Sequence, residues 1–81
     1  MVVNLTEMKG GQTGVVVNIE GGLGARDRIQ SMGIRIGKRI KKEGPRFGRG
    51  PQTVLIGNLR IAVGFGMASK ILVQIDKYEA K

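Results

Sequence analysis

Apolar residues recur along this chain in short runs of period two, with glycines between the runs. Val15, Val17 and Ile19 alternate with Val16, Asn18 and Glu20, which predicts a half-buried strand over 12–20, closed by Gly21-Gly22. Further strands are predicted over 2–5, 38–43 with Ile40 inward, 52–56, 59–63 and 71–76. Gly57-Asn58 between two apolar runs predicts a tight hairpin. One segment has another period. Ala25, Ile29 and Met32 lie at i, i+4 and i+7 and share a helical face, while Arg26, Asp27 and Gln30 point away from it. That predicts a short helix over 23–32, with Gly33 as its left-handed stop. Residues 6–11 read as a turn, 44–51 as a loop rich in Gly and Pro, and 64–70 as a single helical turn.

These elements define a mainly all-β fold: a small SH3-like barrel of five to six short strands. One short helix is inserted early and one helical turn precedes the last strand. Closure of such a barrel removes exposed sheet edges. The chain has 81 residues, enough for one domain with a thin core. The expected layout is a single domain over 1–76 and a polar tail over 77–81, with no repeat or linker.

Composition narrows the chemistry. The chain has no His and no Cys, and only 6 Asp plus Glu. The commonest general base, the thiolate nucleophile and the soft metal ligands are therefore missing. The carboxylates are Glu7, Glu20, Asp27, Glu43, Asp76 and Glu79, with no EF-hand-like spacing. The expectation is a protein with no catalytic residue, no resident cofactor and no tight metal site. Apolar runs are a few residues long and the first residues show no leader pattern, so the expected location is the cytoplasm.

Charge changes the picture again. The formal net charge is +8. Between residues 26 and 49 stand nine cations (Arg26, Arg28, Arg35, Lys38, Arg39, Lys41, Lys42, Arg46 and Arg49) against Asp27 and Glu43. Such asymmetry points to an acidic partner: RNA, an anionic membrane or an acidic protein surface. Arg46-Phe47-Gly48-Arg49-Gly50 could track phosphates while Phe47 stacks on a base, but three aromatic residues in the chain form a small platform. Gly22-Leu23-Gly24 and Gly64-Phe65-Gly66 lack the rest of a dinucleotide fingerprint and read as turns. Met8, Met32 and Met67 fit core filling, whereas Phe65 and Met67 also fit a half-exposed rim.

One run carries a resemblance. Arg26-Asp27-Arg28-Ile29-Gln30-Ser31-Met32-Gly33-Ile34-Arg35-Ile36-Gly37 is similar to the helix-and-turn core of the ferrous iron transport protein A (FeoA) family. Ile40, Gly50-Pro51, residues 53–56, Gly57-Asn58, Ile61-Ala62-Val63, Ala68 and Ile71-Leu72-Val73 follow in the family's order. The family often has Pro where this chain has Ile36, and a bulky residue or arginine where it has Val63-Gly64-Phe65. The resemblance implies an SH3-like fold, shared with the C-terminal domain of iron-dependent repressors. It also implies a non-enzymatic accessory protein of ferrous iron uptake. The implied partner is a membrane ferrous iron transporter with a cytosolic GTP-hydrolysing domain, beside which an anionic membrane surface would lie. The candidate contact residues are Arg26 and Arg28, Arg46, Phe47 and Arg49, and Phe65 and Met67. Ferrous iron itself is expected to bind at most weakly. The alternative reading is a basic SH3-like module for RNA or the ribosome.

Overall fold

The computed structural model describes residues 1–44 and 50–76. Strand β1 (Val2–Asn4) runs into a 3-10 turn (Leu5–Glu7). Then follow β2 (Thr13–Ile19), helix α1 (Leu23–Ser31), β3 (Arg39–Gly44), β4 (Gln52–Ile56), β5 (Leu59–Val63), helix α2 (Phe65–Ala68) and β6 (Ile71–Ile75). All strand pairs are antiparallel, in one sheet of order β1-β6-β2-β3-β4-β5. This is the SH3-like fold predicted from the strand spacing. In the sheet order β1 and β5 stand at the two ends. Strand β1 is only three residues long, and its full length pairs with β6.

Two predicted strands, β4 and β5, coincide with those observed, and Gly57 adopts φ +62° in the hairpin between them. Helix α1 also forms as predicted and ends at Gly33, which has φ +97°. The pattern in β2 differs from expectation. Its ladder with β6 shifts register between Val16 and Asn18, so Val17 is the extra residue of a β-bulge. Val16 and Ile19 are buried, whereas Val17 is 41% exposed. Strict alternation fails because the bulge turns the second half of the strand over. The pattern on α1 needs a smaller revision: Arg26 and Gln30, expected to face away, are half-buried.

The core draws on nearly every element. Leu5, Met8, Val16, Ile19, Ile29, Ile34, Ile40, Val54, Val63, Ala68, Ile71, Val73 and Ile75 form one cluster, with Met32 and Met67 packed at its margin. Gly14 on β2 leaves no room for a side chain beside β6. A Cβ there would lie 2.5 Å from the Gln74 carbonyl oxygen and 2.6 Å from Val73 Cγ1.

The residues read as a plain turn, 6–11, contain a built corner. Asn4 accepts from the Thr6 amide while Glu7 accepts from the Asn4 amide, a capping box around the 3-10 turn. Two carbonyls of this corner, Leu5 at its first residue and Met8 just after it, meet an unexpected partner. Lys42 is only 1% exposed, and its Nζ donates to the Leu5 and Met8 carbonyls, both at 2.9 Å. Burial pushes the Lys42 amine below its ordinary value. Its stem follows Ile40 on the inward face of β3, as the period of two requires.

Candidate functional site

Helices α1 and α2 come together because of strand pairing. Ile19 at the end of β2 pairs with Ile71 at the start of β6. One step further, the Glu20 amide donates to the Lys70 carbonyl at 2.7 Å. Helix α1 follows β2 and α2 precedes β6, so both helices emerge at the same end of this ladder. Between them lies a groove of about 360 Å³ lined by Gly24, Ala25, Arg28, Met67 and Lys70.

The groove has an apolar body and cationic sides. Ala25 and Met67 supply carbon surface, and Arg28 is exposed. Lys70 is half-buried: a Cβ on Gly21 would lie 3.2 Å from both Lys70 Cδ and Ala25 Cβ, so the lysine stem lies over this corner. Among the described residues no acidic side chain lines the groove. A Cβ on Gly22, Gly24, Gly64 or Gly66 would meet nothing within 4 Å, so backbone is open to approach around it. Leu23, the first residue of α1, is 77% exposed at the same corner of the chain.

Of the predicted contact residues, Arg28 and Met67 are brought together in this groove. Arg26 is half-buried on α1 and Phe65 is half-buried at the start of α2; neither lines it. Arg46, Phe47 and Arg49 lie outside the described residues. Lys70 was missed by sequence reasoning. Its only signal was its position, directly between a helical turn and a strand that pairs beside α1.

The basic stretch is broken up by folding. Lys42 is buried. Arg39 Nη1 lies 2.8 Å from both carboxylate oxygens of Asp76. Glu43, an acid of the stretch, is in turn engaged from outside it, with Arg60 Nε 2.7 Å from Glu43 Oε1. The Thr13 hydroxyl, which donates to Asp76, and the Arg39 guanidinium together hold that carboxyl below the usual carboxylate range. Both ion pairs are exposed, so they contribute little to stability. Among the described residues, no three His, Cys, Asp or Glu side chains converge on a point that could hold a metal. No helix among them is long and apolar enough to cross a membrane.

Residues 3–75 match the model of the FeoA domain. The chain belongs to the FeoA family. A Methanocaldococcus jannaschii protein named for Fe(2+) transport is 39% identical over 70 residues, which are 86% of this chain and 83% of that protein. A crystal structure of an iron uptake regulatory protein, FeoA, superposes with a TM-score of 0.83 at 40% identity and covers 93% of this chain and 97% of its own. The fold recurs as a part of larger proteins. A manganese-dependent transcriptional repressor matches 89% of this chain with a TM-score of 0.80 at 25% identity, over 40% of its own length. Membership of the FeoA family places the chain in ferrous iron transport.

Proposed function

We propose that this FeoA-family domain is a non-enzymatic, cytoplasmic accessory module that docks on the cytosolic part of a membrane ferrous iron transporter and regulates its GTP-hydrolysing domain. The observation that carries this reading is the groove between α1 and α2. It combines two cations, Arg28 and Lys70, with the apolar surface of Ala25 and Met67. Such a cleft fits a partner segment that presents an apolar side chain beside a carboxylate: the apolar group anchors while the charges set orientation and on-rate. The RNA reading is weaker, because burial of Lys42 and pairing of Arg39 interrupt the cationic track that phosphate binding would use.

In this account iron is the transporter's substrate and the domain acts by contact. Support comes from the donor set. The sequence offers no imidazole or thiolate, and the carboxylates of Asp76 and Glu43 are engaged by Arg39 and Arg60.

The test measures affinity of the domain for the transporter's cytosolic domain. Reversing both charges, Arg28→Glu with Lys70→Glu, is expected to weaken binding at least tenfold and to flatten its salt dependence. Gly24→Leu places bulk over the groove where no atom now stands, and is expected to weaken binding without unfolding α1. Unchanged affinity in both variants would remove the groove from the interface.

A further inference from the structure

A second surface carries a different chemistry. After α1 the chain makes a tight turn at 35–38. The Lys38 amide donates to the Arg35 carbonyl at 3.0 Å, and Gly37 has φ +95°, a region that only glycines occupy among the described residues. These are the marks of a type II turn with Ile36 at its corner. The turn is tied to the sheet from both sides of the glycine: the Gly37 amide donates to the Val16 carbonyl at 2.8 Å, and the Val16 amide donates to the Lys38 carbonyl at 2.9 Å.

The corner therefore holds an apolar side chain in water by construction. Ile36 is 50% exposed. Arg35 and Lys38, at the first and last positions of the turn, are exposed, and among the described residues neither is in an ion pair. Lys41 is also exposed on the strand that the turn feeds. On β2, the bulge residue that follows the turn's anchor point is Val17, itself exposed. A convex corner with one isoleucine offers little contact to a rigid protein surface. It suits a soft one, in which the aliphatic chain enters the acyl boundary and flanking cations meet headgroup phosphates.

We infer that the 35–38 turn is a contact point for an anionic lipid bilayer, with Ile36 inserting and Arg35 and Lys38 pairing with lipid phosphates. One aliphatic side chain and a few cations give weak, salt-sensitive attachment, enough to bias orientation at a membrane rather than to anchor the protein. The surface is separate from the groove and does not depend on the docking reading.

Two measurements test this. The chain has no Trp, so Ile36→Trp supplies a single reporter at the corner. With vesicles containing about one-third phosphatidylglycerol at low salt, its emission is expected to shift to the blue and to be quenched by brominated acyl chains. Pure phosphatidylcholine vesicles are expected to leave it unmoved. In sedimentation with the same anionic vesicles, Arg35→Ala with Lys38→Ala is expected to lose about 25-fold in partitioning, about fivefold per cation. All three positions are exposed, so loss of fold does not confuse the readout. An unshifted reporter, or a double variant that partitions like the parent, would overturn the inference. So would a result in which the double variant loses affinity for the transporter's cytosolic domain while no form of the protein binds vesicles; the turn would then be a protein contact. None of these substitutions touches the groove, so failure here leaves the docking proposal standing.

Discussion

Lys42→Ala is expected to destabilise the domain by about 4 kcal/mol, and Lys42→Met by about 2 kcal/mol. Methionine keeps most of the buried stem but leaves the Met8 carbonyl without its donor and removes one of the two donors at Leu5, whose carbonyl also accepts from the Met8 amide. Alanine adds a cavity where the stem lay. Urea denaturation would separate the two contributions. The amine also makes stability depend on pH. Burial lowers the folded-state value, so between that lowered value and the ordinary 10.5 the unfolded chain holds more protons than the folded one. The cost of keeping a buried ammonium is in full force below the lowered value. Stability of the parent should therefore rise with pH across that window, relative to Lys42→Met, which lacks the group. Parallel profiles for the two proteins would show that Lys42 is not desolvated.

Gly14→Ala is expected to cost about 3 kcal/mol, because the added methyl meets a backbone carbonyl rather than a flexible side chain. The obstacle is Gln74 oxygen at 2.5 Å, so relief requires β2 and β6 to separate. Those two strands carry the pairing that holds α1 and α2 side by side, so the groove should loosen with the sheet. The same substitution at Gly24 should have the opposite sign. Nothing lies within 4 Å of a Cβ there, and alanine favours a helix over glycine by up to about 1 kcal/mol. Thermal or urea unfolding of the pair checks both. Equal effects at the two positions would contradict the packing described for β2.

Much of this fold is legible in the sequence, because its strands are short, alternating and separated by turn residues. The hairpin at Gly57-Asn58 and the helix stop at Gly33 follow from local conformational preference alone. The bulge in β2 does not. Val15, Val16 and Val17 are chemically alike, so no polarity marks which of them leaves the ladder. Lys42 illustrates a conflict between two signals. Its spacing from Ile40 puts it inside, while its charge argues for the surface. The decision rests on two carbonyls 34 and 37 residues away in sequence, which only the tertiary fold brings within reach.

The site was half legible for a similar reason. Arg28 and Met67 stand out locally, one as an exposed cation on a short helix, the other as an apolar residue in a helical turn at a rim. That they face one groove, with Lys70 between them and the start of α1, depends on the β2–β6 register and on the Glu20–Lys70 backbone bond. No periodicity within one segment reports such a pairing. The charge census misled in the other direction, since counting cations along the chain cannot show that Lys42 is buried and that Arg39 is paired with Asp76.

The central claim is that the groove between the helices receives the transporter. Titrating the transporter's cytosolic GTP-hydrolysing domain into isotope-labelled protein and following backbone amide shifts tests it most directly. The account predicts shifts concentrated at Gly24, Ala25, Arg28, Met67 and Lys70, with the hairpin of β4 and β5 unaffected. Binding that shifts the β4–β5 hairpin and leaves the groove residues unmoved would contradict it.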